Sequence, residues 1–462
     1  MPIRPDAVPP WDRRRSGVLL PLSALNAQEP GASMGSQVRR FLAFLHSAGF
    51  SVWQMLPIHP PDFYGSPYQS CSVHAGDPGL IDLMSSPDHE TAGHGAYANF
   101  QERHRVWLED FALFTGIRQF SGDRPWWEWP PGLRDRNPAA LAEFRAGNLG
   151  SVEAALHAQF RFFSQWRAMR QAAAEFGILL FGDLPLFPAH DSADVWSHRE
   201  YFQLDEKGKP RVVAGVPPDA FTAAGQCWGN PVYQWPAMAA DGFHWWIERL
   251  RTQLELFDFV RLDHFRGLEA IWEIPADRPL AKYGEWRPAP GRDLLQSLRN
   301  ALGRLPLVAE DLGTITAPVT ALREAFGLPG MKVLQFAFDR DACNPYLPHN
   351  HERCAVVYTG THDNNTTLGW YDAMADADKL RVLEYLGQPT DPMPWPLIRA
   401  ALGSVCDLAM LPMQDLLALG AGHRTNTPGA TSRNWQWQLP QESLTDELAR
   451  RLRRLNEGYG RC

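Results

Sequence analysis

The sequence has no run of apolar residues near the roughly 20 needed to cross a bilayer. Its opening stretch, MPIRPDAVPPWDRRRS, carries no apolar segment of the signal-peptide kind, so a cytoplasmic protein without a membrane partner is expected. A basic surplus is missing too. The 44 Lys and Arg residues against 52 Asp and Glu give a net charge of −8, which leaves no basic face to neutralise phosphates, and no nucleic-acid partner is expected. Cysteine is sparse: Cys71, Cys227, Cys343, Cys354, Cys406 and Cys462 have neither metal-ligand nor redox spacing and read as reduced thiols. His59, His74, His190 and His362 fall near strand or loop ends, yet none of them pairs with another in a His-x-His or His-Glu-x-x-His pattern. No metal is expected from them. No internal repeat is apparent.

What the chain does have is aromatic surface and a regular alternation. Its 18 tryptophans offer flat faces that suit both cores and sugar rings. RPWWEWPP, FHWWIE and NWQWQL could be sugar platforms, but core packing is the plainer reading. Eight short apolar runs follow one another: GVLLPL from Gly17, SVWQMLPI from Ser51, GILLFGDLPLF from Gly177, DFVRLDHF from Asp258, LPLVAEDL from Leu305, MKVLQFAF from Met331, CAVVYTGTHDN from Cys354 and AMLPMQDLL from Ala409. Between several lie stretches of helical period, such as VRRFLAFLHSAG, VEAALHAQFRFFSQWRAMRQAAAEFG and APVTALREAFG. Eight strands alternating with helices predict an α/β fold, a (β/α)8 barrel, and 462 residues are enough for one with insertions. The long gaps place an inserted subdomain at about residues 60 to 150 and an inserted loop region at 188 to 240, within a single catalytic unit.

Barrels of this kind keep their chemistry at the C-terminal ends of the strands. Read as one set, those ends are rich in carboxylates: Asp183 on the third run, Arg261 and Asp263 on the fourth, Glu310 and Asp311 on the fifth, His362 and Asp363 on the seventh. One Arg-x-Asp alone would pass as a structural salt bridge. Several acids gathered at one end would repel one another and cost free energy unless they served a purpose. Two carboxylates flanking a bond are the equipment for glycoside cleavage, one attacking the anomeric carbon and the other protonating the departing oxygen. Arg261 favours the charged form of Asp263, as an attacking group requires, while Glu310 needs surroundings that raise its pKa. Asp311 should point to the other face of its strand and serve as a cap or structural partner.

These residue types, their order and their strand positions resemble the α-amylase superfamily. Within it, the chain from about Arg13 to Leu439 is similar to the amylomaltases, bacterial 4-α-glucanotransferases, in the stretches SPYQSCSVHAG, GDLPLFPAHDSADVW, VVAGVPPDAFTAAGQCWGNPVYQW, VRLDHFRG, VAEDLGTIT, GMKVLQFAFD, NPYLPHN, YTGTHDNNTTLGW and NTPGATSRNWQW. The resemblance implies Asp263 as nucleophile, Glu310 as general acid/base and Asp363 as the acid that stabilises the transition state. It implies substrate-binding roles for Arg261, His362, Asp183, Tyr68, Ser66, Trp228, Gln226 and Asn364, and a monomer acting on α-1,4-glucans and maltooligosaccharides. With carboxylates for both nucleophile and acid, no cofactor is needed, and a separation of roughly 5 Å between them would give retention of configuration. Whether water or another glucan accepts the sugar is set by the resemblance and not by the acids. A retaining α-glucan hydrolase and a non-catalytic glucan-binding protein are the alternatives.

The chain also departs from the family pattern. Its first strand leads into PLSALNAQEPGASMG where HPTSLPG followed by GIGDLG is usual, and the inserted subdomain is shortened to MSSPDHETAGHGAYANFQERHRVWLEDFALF. Ala220 stands before Phe221 where an aromatic is common, and Asn365 stands where an aspartate is common. These changes bear on the grip on long glucans and on any second amylose site, not on the three acids.

Overall fold

Each of the eight apolar runs holds one strand of a single parallel sheet. The structure, a computed structural model, describes residues 11–25, 34–62, 64–82, 94–218, 224–430 and 432–462. The strands are β1 (Arg15–Leu19), β2 (Val52–Gln54), β3 (Leu179–Leu184), β4 (Phe259–Leu262), β5 (Leu307–Ala309), β6 (Gly330–Val333), β7 (Ala355–Tyr358) and β8 (Leu408–Pro412). They pair in the order β6, β7, β8, β1, β2, β3, β4, β5, so the chain adds neighbours in sequence and β8 returns to lie beside β1, with Arg15 opposite Leu408. The seam between β5 and β6 is closed by one backbone bond, Ala309 N–H to Pro329 O at 2.8 Å, and by a side chain. Asp311 accepts from Met331 N–H at 2.7 Å and faces Arg323 at 3.3 Å, the structural part expected of it. A Cβ on Gly330 would stand 2.4 Å from that carboxylate, so the seam needs a glycine there.

Alternation sorts each strand into an inner and an outer row. Val52, Phe181, Phe259, Val308, Met331, Val356, Leu408 and Met410 fill the barrel, with the rings of Phe181 and Phe259 stacked 4.2 Å apart. Trp11 meets Phe259 edge-on at 5.8 Å. The outer row, Val18, Trp53, Leu180, Val260, Leu262, Val357, Ala409 and Leu411 among it, packs under the helices in the main core. Helices Ser36–Ser47, Leu149–Glu175, His244–Leu256, Gly291–Leu302, Ala317–Ala325 and Trp395–Gly403 cover it. The last helix, Asp446–Gly458, is capped by Thr445 accepting from Leu448 N–H and buries Ala449, Leu452 and Leu455. Beyond it, buried Arg461 donates to the carbonyls of Arg15, Leu402, Ser404 and Cys406 and ties the chain's end to the base of β1.

The long gaps hold their own structure. Helices His94–Arg103, Leu108–Phe120, Pro131–Arg134 and Pro138–Gly147 lie between β2 and the 27-residue helix Leu149–Glu175. Strands Val212–Val216 and Gln226–Pro231, which follow β3, join Ala270–Pro275 and Glu285–Pro288, which follow β4, in one four-stranded antiparallel sheet. The second pair comes from an insertion after β4 that the alternation of apolar runs does not announce. All six cysteines are free thiols. Among the described residues no helix is long and apolar enough to cross a membrane. The departures in residues 26–33 and 83–93, and at Ala220 and Phe221, lie outside the described residues.

Candidate active site

The inner row that fills the barrel with apolar side chains turns polar at its C-terminal end. On β4, Phe259 lies in the barrel core and the next inward residue is Arg261; on β3, Phe181 is followed by Asp183; on β7, Val356 is followed by Tyr358; past β5, Val308 is followed by Glu310. Arg261 is the hub. Its Nη1 donates to both oxygens of Asp183 at 2.8 Å, and its Nη2 meets Asp263 Oδ1 at 2.7 Å. Burial works against its charge, but the two carboxylates outweigh it and hold the guanidinium charged far above neutrality. Asp183, with no exposure at all, lies behind the arginine and does not reach the cleft wall. Asp263 N–H donates to Leu184 O at 3.0 Å, which docks the turn after β4 on the end of β3.

Glu310, just past β5, sits against that turn under different conditions. Its Oε2 accepts from His264 N–H at 2.7 Å and its Oε1 from Leu312 N–H at 3.1 Å, while its own carbonyl accepts from Phe265 N–H. His264 takes the left-handed conformation, φ 52°, which turns its N–H onto the carboxylate next to Asp263. Burial pushes the Glu310 carboxyl up to about 7; Arg261 opposes the shift and Asp263 adds to it. A carboxyl of that value is a ready proton donor near neutral pH.

The third acid stands on the loop after β7. That loop is tied down at both ends by Asp415, which accepts from Thr359 Oγ1 at 2.6 Å and from the N–H and hydroxyl of Thr367, both at 2.7 Å. Within it Asn364 Oδ1 accepts from Thr361 N–H at 2.8 Å, and Gln335 donates to Asn365 O at 2.9 Å. The Asn365 side-chain oxygen lies against Gly369. Asp363 faces His362 Nε2 at 3.3 Å and accepts from Asn426 Nδ2 at 2.6 Å. Burial would raise its pKa, but His362 and Asn426 hold it well below the usual carboxylate range. The same pair acts on His362, where burial pulls down and Asp363 lifts the value above that of a free imidazole. Tyr68 joins the groups: its hydroxyl donates to Asp183 Oδ2 at 2.7 Å, lies 2.9 Å from His362 Nε2, and its ring stacks on His362.

Asp263, Glu310, Asp363, Arg261, His362, Tyr68, Ser66, Trp228, Gln226 and Asn364 all line one cleft of about 650 Å³ at this end of the barrel. Gln226 and Trp228 come from the small sheet, with the Trp228 indole N–H held by Gln226 Oε1 at 2.9 Å and its ring edge-on to His264. Two further partners come from the NTPGATSRNWQW stretch: Trp435 belongs to the NWQWQL group, for which core packing is the plainer reading, and Asn426 carries no mark in the sequence; they close the cleft over Asp363 and Tyr68. Gln69, beside Tyr68, donates to Asn230 at 3.0 Å and straps the two walls together. The sequence does hold one His-x-His pair, His349 and His351. Their ring nitrogens are engaged by Tyr385 and Ala342, and by Ser404 and Tyr346. No group of three or more His, Cys, Asp or Glu side chains among the described residues is arranged to hold a metal ion.

Comparison with known proteins agrees with this geometry across the chain. A family described as 4-alpha-glucanotransferase matches residues 20–95 and 85–444. A 4-alpha-glucanotransferase of Thermus thermophilus is 44% identical over 97% of this chain and 99% of its own, and that of Synechocystis is 41% identical over 97% and 98%. The solved amylomaltase of Streptococcus agalactiae in complex with acarbose superposes with a TM-score of 0.92 at 31% identity, covering 97% of this chain and all of that one. The amylomaltase of Corynebacterium glutamicum, at 17% identity and a TM-score of 0.75, shares the fold. The chain belongs to the 4-alpha-glucanotransferase family.

Proposed function

We propose that the protein transfers segments of α-1,4-glucan to the 4-hydroxyl of another glucan or of glucose by a retaining double displacement. The observation that carries this is the pairing of Asp263 with Glu310. One carboxylate touches Arg261 at 2.7 Å, and the other is buried, next to it, and raised to about 7. In the first step an Asp263 oxygen bonds to the anomeric carbon as the C1–O4 bond breaks, and Glu310 gives its proton to the departing oxygen. In the second, the ionised Glu310 takes the proton of the acceptor's 4-hydroxyl, whose oxygen displaces Asp263 and restores the configuration. Asp363, with His362, Tyr68 and Arg261, would hold the ring at the cleavage point, their hydrogen bonds strengthening as it flattens toward the oxocarbenium ion, while Asp183 would act from behind by fixing Arg261 and Tyr68. Trp228, Gln226, Ser66 and Asn364 would line the path of the chain. Residues 60–150 and 188–240 serve as inserted walls of the one catalytic barrel in a cytoplasmic enzyme.

Incubation of the pure protein with maltotriose is the test. The expected products are glucose and a ladder of longer maltooligosaccharides with little growth in total reducing ends. Reducing ends rising in step with substrate loss would make the protein a hydrolase and reject the transferase reading.

A further inference from the structure

The cleft has two ends that the hydrogen bonds distinguish. Tyr68, Asp183, His362 and Asp363 are linked to one another and to Arg261, whereas Glu310 is bound to the backbone of His264 and Leu312, and these two turns run on to Arg266 and Thr314. Glu310 protonates the departing oxygen in the reaction proposed above, so its side of the cleft is where the leaving chain departs and the acceptor enters. On that side the cleft wall includes Arg266 and Trp286. The Arg266 guanidinium lies over the Trp286 ring, 3.9 Å from its centroid, and its Nη1 donates to Thr314 O at 2.5 Å. Trp286 is on the strand Glu285–Pro288, directly across from Trp272, whose ring meets it at 5.2 Å.

A structural tie does not use all of this stack: its hydrogen bond goes to a backbone carbonyl and not to a carboxylate, and both side chains remain half-buried on the cleft wall. A guanidinium stacked on an indole is flat and weakly hydrated, with N–H donors around its edge. That combination fits a neutral ligand with apolar ring faces and a rim of hydroxyls. We propose that Arg266 and Trp286 form an acceptor-side subsite for a glucosyl ring beyond the one next to Glu310, and that this subsite makes a maltooligosaccharide a better acceptor than glucose. The assignment rests on the transferase reading and adds to it a determinant of acceptor length.

The test lets two acceptors compete for one intermediate. The full-length protein is given α-maltotriosyl fluoride as donor, with isotopically distinct glucose and maltotriose together as acceptors, and the ratio of the two transfer products is measured. Both acceptors draw on the same glycosyl-enzyme, so a smaller folded fraction lowers both products and leaves the ratio unchanged. In Trp286→Ala and Arg266→Met the ratio of transfer to maltotriose over transfer to glucose should fall about tenfold, the loss of one good contact to a charged donor. If Trp286→Ala gives no soluble protein, Trp286→Phe and Arg266→Lys, which shrink or remove the flat face, should lower the same ratio by a smaller factor. Transfer products formed in an unchanged ratio by both members of either pair would overturn the subsite. Absence of transfer to either acceptor by the unaltered protein would strike instead at the transferase reading.

Discussion

At the scale of single residues, Asp263 and Glu310 are neighbours through one backbone N–H, that of His264, yet the proposed chemistry asks them to start in opposite protonation states. Glu310 is raised to about 7 chiefly by burial, so it is protonated below that value and loses its proton as pH rises through it. The rate constant kcat/KM for maltotriose should therefore fall on the alkaline side with an apparent pKa near 7, approaching tenfold per pH unit. A glycosyl fluoride, whose leaving group needs little protonation, should show a shallower limb when its pH profile is recorded beside that of maltotriose. Identical limbs would mean that another group sets the pH dependence. Asp183, Arg261 and Glu310 were legible in the sequence because each follows an inward-facing apolar residue at a spacing of two, and Asp263 and Asp363 because they stand just past apolar runs that read as strands. Asn426 was not, since an asparagine in a loop gains its meaning only from the carboxylate that the fold brings to it. The left-handed turn at His264 carries no residue-type signal at all.

At the scale of elements, the barrel is held where hydrogen bonding between strands is thinnest by a side chain that the chemistry leaves free. Asp311 is adjacent to Glu310 but faces outward, onto Met331 N–H and the buried Arg323. Asp311→Ala should leave a buried cation and a backbone donor without that partner and lower unfolding free energy by about 3 kcal/mol in denaturant titration. A change below 1 kcal/mol would mean that the seam does not depend on it. Most of the element order could be read from the eight apolar runs, because a parallel barrel buries both faces of each strand. The insertion after β4 could not: AIWEIP and EWRP carry charges and end in proline, which reads as loop, and they become strands because AIWEIP pairs with Val212–Val216 from another insertion and EWRP pairs with AIWEIP.

At the scale of the whole molecule, the barrel supplies the acids and the segments inserted after β2, β3 and β4 supply the walls. Gln226, Trp228 and Trp286 reach the cleft from the antiparallel sheet, while Tyr68 and Ser66 come from the loop after β2. Transfer in place of hydrolysis demands such walls, because the glycosyl-enzyme must meet a positioned sugar hydroxyl before it meets water. The proposed double displacement requires that Asp263 carry the covalent intermediate. The most direct measurement is mass spectrometry of the Glu310→Gln variant incubated with α-maltotriosyl fluoride, followed by peptide mapping, with Asp263→Ala alongside. The expected result is a mass increase of one maltotriosyl unit, located on the peptide VRLDHFRG at Asp263, and no adduct in Asp263→Ala. A stable label on any other residue, or an Asp263→Ala protein that still disproportionates maltotriose at a near-normal rate, would contradict the account and return the Arg261–Asp263 pair to a structural salt bridge.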